Sequence, residues 1–186
     1  MKIIAHPVTA ARRGRELTLV WGVHDFPTGK IMVALSSEGL CAIGIHCRDE
    51  YLQKHFPHAY LIEDQKITQK AAREVAKLWP RKVDQISTPL VLYGTPFQIK
   101  VWKALLKIKC GTTVTYGDIA QKIGSPAAVR AVGSAVGKNN LSIIVPCHRV
   151  VNKQSTVINY GWGAAQKKLL LKGEGVKALG LGGAYD

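Results

Sequence analysis

The stretch Ile143-Ile144-Val145-Pro146-Cys147-His148-Arg149-Val150-Val151 constrains the fold more than any other part of the chain. Apolar, mostly β-branched residues on both sides ask for a buried frame, so the Pro-Cys-His-Arg step must carry its thiol and two basic groups into that frame. A free cysteine, with a reference pKa near ~8.5, is mostly a neutral thiol at neutral pH. It becomes a nucleophile beside a base or a positive charge, and His148 and Arg149 are neighbours of those two kinds. A plain core cysteine fits the same run, because free Cys is among the most buried residue types. Adjacent side chains point apart, so His148 is expected to reach the sulfur through a water or a turn.

The 186 residues suffice for one large domain or two small ones. Residues 1–16, with Arg12, Arg13 and Arg15, read as a basic lead-in without an ordered element. Residues 17–93 read as an N-terminal α/β domain. Its first part is a meander of three antiparallel strands over 17–23, 30–35 and 40–45, separated by Pro27-Thr28-Gly29 and Ser36-Ser37-Glu38-Gly39. Helices are predicted over 50–55 and 69–79, the second with Ala72, Val75, Ala76 and Trp79 on one face, and an extended run over 89–93 closes the domain.

From Gly94 to residue 186 the pattern becomes helical. Thr95, Pro96 and Gln98 make a capping box that opens a helix whose apolar stripe is Phe97, Val101, Leu105 and Ile108, with Gly111 at its end. Thr115 caps a helix from Tyr116 to Ile123, stopped by Gly124; Ser125 caps the next, with Pro126 at its first position, which Gly137 stops. Two short helices joined by Gly124-Ser125 read as a helix-turn-helix. The second is small-sided, from Ala127 to Ala135, and Arg130 is its only charged residue. A slim helix with one long cation suits a probe of a base stack or a grip on a phosphate; a solvated side chain on a packing helix is the plainer reading.

Charge supports the first of these. The net charge is +14, and residues 94–186 hold 13 Lys and Arg against three acids while residues 1–93 hold 13 against nine. Such a surplus in the half that carries Cys147 suits a polyanionic partner such as nucleic acid. No apolar run approaches the roughly 18 residues of a membrane span, and the first residues lack a signal-peptide core, so a cytoplasmic, intracellular protein is expected. The four cysteines form no CxxC pair, read as free thiols and support no structural zinc site.

Thr115-Tyr116-Gly117, the run from Ser125 to Gly133, Asn139, Pro146-Cys147-His148-Arg149-Val150 and Lys172-Gly173-Glu174-Gly175 stand in an order and spacing that resembles the O6-alkylguanine-DNA alkyltransferases, or methylated-DNA-protein-cysteine methyltransferases. Tyr160-Gly161-Trp162-Gly163 is similar to the branch found in the C-terminal half of the Ada protein. In residues 1–93, Pro27-Thr28-Gly29-Lys30 and the run from Gly39 to Ile43 look like that family's N-terminal domain.

The resemblance implies an α+β fold: an N-terminal α/β domain with a small antiparallel sheet, ribonuclease H-like, and a mostly helical, winged-helix-like C-terminal domain. It implies that an alkylated guanine is flipped out of double-stranded DNA and that Cys147 takes its O6-alkyl group permanently, without metal or organic cofactor, in a protein expected to be a monomer. His148 would accept the thiol proton, Glu174 would orient His148, and Tyr116 would donate a proton to the base edge. Asn139 would tie the turn before Cys147 to the active-site segment. The backbone at Cys147, Val150 and Gly161 would read the guanine, with Tyr160 and Trp162 beside the pocket. Arg130 would fill the gap left by the base, on a helix in the minor groove, with Ser125, Ala128 and Tyr116 as the other DNA-binding residues.

Departures from the family bear on substrate range. The loop 152–159 lacks the usual glycines, Asn140 and Ser142 stand where many relatives have proline, and Trp162 stands where other branches have glycine, which is expected to narrow the pocket. Two other readings use the same residues. A non-catalytic lesion-binding helix-turn-helix protein needs no nucleophile, and Cys147 is present. A Cys-His-acid hydrolase explains the thiol but gives the basic half no role. Ada's four-cysteine zinc domain has no counterpart in these residues, so a second, Ada-like activity is not expected.

Overall fold

The amino-terminal run Ile3–Pro7 folds as strand β1, so residues 1–16 are not a structureless lead-in. Each of its residues pairs in parallel with β6 (Leu90–Gly94), from Ile3 against Leu90 to Pro7 against Gly94. As an edge strand it carries polar His6 and terminal Pro7 without cost to an inner ladder, and these two residues disguised it as lead-in. The computed structural model describes residues 1–8, 14–79, 85–153 and 160–176, so Arg12 and Arg13 lie outside it and Arg15 sits in a turn.

Contacts divide the chain into two compact units, Met1–Ile99 with Asn140–Ile144 and Lys100–Asn139 with Val145–Asp186. The first is built on the predicted antiparallel meander, β2 (Thr18–Phe26), β3 (Gly29–Ser36) and β4 (Gly39–Ile45). The sheet is larger and more mixed than the small antiparallel one expected: six strands in the order β1-β6-β4-β3-β2-β5, with parallel pairings at β1-β6, β4-β6 and β2-β5. Its central strands are apolar on both faces and fully buried at Ile31, Met32, Val33, Leu40, Ile43, Leu90 and Leu92, the composition that a doubly covered sheet demands.

Helix α1 (Asp49–His55) lies where predicted. Strand β5 (Tyr60–Glu63) was not predicted; four residues at an edge, with Tyr60 70% exposed, show no alternation to read. Helix α2 (Gln65–Leu78) starts earlier than expected because the Asp64 carboxylate caps it, accepting from the amides of Lys66 and Ile67. Residues 140–144 return to this sheet: the Ile43 amide donates to the Asn140 carbonyl at 2.8 Å and the Ser142 amide to the Ile43 carbonyl.

Helix α3 (Pro96–Leu105) opens with the predicted box, the Thr95 amide on Gln98 Oε1 at 3.0 Å and the Gln98 amide on Thr95 Oγ1 at 3.2 Å. Of its stripe, Val101, Leu105 and Ile108 are buried and Phe97 is half-buried. In the second unit the Trp102 indole is fully buried and donates to the Ala135 carbonyl at 2.9 Å. Strand β7 (Val114–Thr115) leads into α4 (Tyr116–Lys122), held by a Thr115–Asp118 capping box and ended at Gly124, whose φ of +67° suits glycine. The next helix does not start as predicted. Ser125 makes no side-chain cap; Pro126–Ala128 form a 3-10 turn closed by the Ala128 amide on the Ser125 carbonyl, and α5 (Val129–Gly137) follows. A second 3-10 turn, Cys147–Arg149, runs into β8 (Val150–Val151), which pairs in parallel with β7, and α6 (Ala164–Gly173) completes the unit.

Candidate active site

Two three-residue turns deliver Cys147. The Ile144 amide donates to the Ser142 carbonyl at 2.8 Å across Ile143, whose φ is +74°. A β-branched residue in that region is strained by about 1–3 kcal/mol, so the surrounding packing must impose the turn. The Cys147 amide then donates to the Val145 carbonyl at 2.8 Å across Pro146 (φ −80°, ψ 64°), the relaxed inverse γ-turn that proline's ring favours. Asn139 locks this second turn, its Nδ2 donating to the Val145 carbonyl at 2.9 Å and to Cys147 Sγ at 3.1 Å. Asn139 thus touches the sulfur as well as the backbone.

Burial pushes the Cys147 thiol up, while the Asn139 amide, the Tyr160 hydroxyl and the charge of Lys167 draw it down. Pairing of β7 with β8 sets Tyr116, the first residue of α4, within electrostatic reach of Cys147; burial, then that sulfur, raises the phenol, which keeps its proton at neutral pH. His148 is wholly buried. Its Nε2 meets Glu174 Oε1 at 2.8 Å, and its Nδ1 has no hydrogen-bond partner among the described residues. Burial lowers the imidazole and Glu174 raises it. The Glu174 carboxylate is itself held down to about 2, against burial, by bonds from His148 and Arg149.

Arg149 turns away from the expected task. Its guanidinium grips Glu174 at both oxygens, Nε on Oε2 and Nη2 on Oε1, each at 2.8 Å, and Nη1 donates to the Ile108 carbonyl at 2.7 Å. The cation whose charge acts on the sulfur is Lys167, 1% exposed, with Nζ donating to the Val150 carbonyl at 2.6 Å. Sequence reasoning missed it, because a lysine pair in a short helix signals a solvated face. The site therefore gathers Tyr116, Asn139, Cys147, His148, Val150, Tyr160 and Glu174. Ser125 and Ala128 stand at the turn before α5 and Arg130 on its first turn, with Arg130 exposed. Gly161 is exposed and Trp162 half-buried, and most of the loop named for its missing glycines, residues 154–159, is outside the described residues. Chemically, a buried thiol with the Asn139 amide on it, a lysine cation in electrostatic reach and an imidazole–carboxylate pair on the same turn can act as a nucleophile once its proton is taken.

Residues 96–176 match the family model described as the DNA-binding domain of 6-O-methylguanine DNA methyltransferase. The inducible methylated-DNA-protein-cysteine methyltransferase of Bacillus subtilis is 38% identical over 159 residues, 83% of this chain and 89% of that protein. The chain belongs to this methyltransferase family. The bifunctional transcriptional activator/DNA repair enzyme Ada of Escherichia coli is 40% identical over 87% of the chain, which spans 47% of Ada; the chain is about half the length of the Ada proteins it matches. Among solved structures, the OGT protein of Mycobacterium tuberculosis, in complex with DNA, superposes with a TM-score of 0.73 at 34% identity, covering 83% of this chain and 92% of that one. The site residues named by resemblance, from Tyr116 to Glu174, fall within the stretch matched to the methyltransferase DNA-binding domain. Among the described residues no group of three or more His, Cys, Asp or Glu is placed to hold a metal ion, and no helix is long and apolar enough to cross a membrane.

Proposed function

We propose that the chain repairs O6-alkylguanine in double-stranded DNA by transferring the alkyl group irreversibly to Cys147, once per molecule. The observation that carries this is the buried sulfur under Asn139, beside the His148–Glu174 pair. His148, whose Nε2–H is committed to Glu174, takes the thiol proton at Nδ1 through a bridging water. The sulfur forms a bond to the alkyl carbon as the carbon–O6 bond breaks, and the guanine leaves with the electron pair. Tyr116 gives that anion a proton at the base edge. The thioether has no good leaving group, so the thiol is not regenerated.

Recognition would use the rest of the second unit. Arg130, exposed on the small-sided α5, would enter the space vacated by the flipped base from the minor groove, with Ser125 and Ala128 at the close approach of backbone to DNA. The Val150 carbonyl, already accepting from Lys167, keeps a lone pair for the amine of guanine, and Gly161 and Tyr160 would line the base. Trp162 would narrow the pocket against bulky adducts. A winged-helix-like second unit fits α4, α5 and the β7–β8 pair, and a ribonuclease H-like first unit fits the meander followed by parallel β5. Incubation with a duplex carrying O6-methylguanine, then peptide mapping, tests the proposal: methyl on the Cys147 peptide with guanine restored in the DNA is expected. Methyl on another cysteine, or unchanged DNA, would refute it.

A further inference from the structure

Two cations stand at the site. Lys167 on α6 bears on the sulfur and, less than Arg149, on His148, while Arg149 binds both oxygens of Glu174 and bears on His148 and Glu174. On the alkyl-acceptor reading the thiolate forms by transfer of the thiol proton to His148, giving a thiolate and an imidazolium. An ionised, uncompensated Glu174 at 2.8 Å from Nε2 would favour that imidazolium strongly, because both groups are buried. Arg149, 14% exposed, places a full positive charge on the same carboxylate at the same distance and offsets part of that attraction, in the same direction as burial of the imidazole. The charged and titratable groups around the imidazole are Glu174 and Lys167 from α6 and its end, Arg149 and Cys147 from its own turn, and Tyr116 from α4 beyond the sulfur. Of these only Glu174 favours the imidazolium from the outer side, and it is the group that Arg149 neutralises.

We infer that Arg149 is a positioning residue that restrains Cys147: by offsetting the charge of Glu174 it joins burial in disfavouring the imidazolium at His148, so that the thiol proton stays on the sulfur. The inference rests on the alkyl-acceptor reading of Cys147. A protein spent by one alkylation gains from a thiol that does not react with every passing electrophile, while the bidentate clamp still keeps Glu174 aligned on Nε2 for the moment when the proton moves.

The test is the rate at which iodoacetamide alkylates the Cys147 peptide, followed by mass spectrometry from about pH 6 to about pH 9. In that reaction the S–C bond forms as the C–I bond breaks, iodide leaves with the electron pair, and the thiol proton passes by way of His148 to solvent. Arg149→Met is expected to react ~10-fold faster than wild type at neutral pH, the equivalent of one unit in the thiol–imidazole balance. Arg149→Lys, which keeps the charge, lies between the two, and Glu174→Gln, which leaves Arg149 unopposed, is slower than wild type. The double variant Arg149→Met/Glu174→Gln separates charge from loosening, because it should fall back to the wild-type rate or below. A double variant as fast as Arg149→Met would mean that the site had merely opened, and an Arg149→Met protein no faster than wild type would overturn the inference directly. Should Arg149→Met not fold, the order Arg149→Lys above wild type above Glu174→Gln supports the restraint, and any other order overturns it. Failure of the wild type to accept methyl from O6-methylguanine DNA would be a separate result, against the alkyl-acceptor reading and silent on this order of rates.

Discussion

At Cys147 burial and hydrogen bonding oppose each other, and burial prevails: the thiol sits above its ordinary range in spite of Asn139, Tyr160 and Lys167. Each of those groups therefore sets how much thiolate is present. Asn139→Ala removes the 3.1 Å donor and is expected to slow methyl transfer at neutral pH by ~10-fold, with the rise of rate against pH moved about one unit upward. An unchanged rate–pH profile would mean that Asn139 serves the backbone turn alone. Glu174 makes the matching prediction for stability. Its folded pKa, about 2, lies below the unfolded carboxylate value, so its contribution is present above that unfolded value and is lost as pH falls toward 2. Buried, neutral His148 acts in the same direction, since the unfolded imidazole takes up its proton at a higher pH than the folded one. Urea midpoints of the wild type should fall between about pH 5 and about pH 2, and those of Glu174→Gln should fall less. The thiol, the imidazole and the acid were legible in sequence from motif and resemblance. Lys167 and the true partner of Arg149 were not, because which way a long basic side chain turns depends on the acceptor it finds, and Val150 and Glu174 are distant in sequence.

Elements carry the site by a few buried contacts. Trp102 joins α3 to α5, the helix that carries Arg130, through its indole donor on Ala135. Trp102→Phe keeps most of the ring and leaves the Ala135 carbonyl without its donor, for an expected loss of about 1–3 kcal/mol. Trp102→Ala adds a cavity and is expected to cost about 3–5 kcal/mol, read from chemical denaturation of both variants. Equal losses would show that the hydrogen bond, and not the packing, dominates. Helix starts with a side-chain box, at Thr95 and Thr115, were legible because the cap is local chemistry. Ser125 was misread because Pro126 opens a 3-10 turn there, in which the backbone carbonyl does the capping. Edge strands β1 and β5 were invisible for another reason: they exist only through parallel partners far along the chain, Leu90–Gly94 and Thr18–Phe26.

For the molecule as a whole, a net charge of +14 weighted toward residues 94–186 predicts DNA binding that weakens steeply with salt. Arg130→Ala is expected to weaken binding to lesion-bearing duplex more than to lesion-free duplex, because the flipped-out state loses the side chain that fills its gap, measured by titration at several salt concentrations. Equal weakening of both duplexes, with the log–log salt slope reduced by about one, would make Arg130 a phosphate contact and contradict its place in the vacated base position. Binding alone, however, does not separate an alkyl acceptor from a lesion-recognition protein on the same scaffold. Intact mass does so, measured after mixing the protein with excess duplex containing one O6-methylguanine, beside Cys147→Ala. Transfer to Cys147 predicts a gain of about 14 Da, one methylene, that stops at one per molecule and is absent from Cys147→Ala. Lesion-selective binding with no gain in mass would contradict it and leave the buried thiol, its donors and its relay without a reaction to perform.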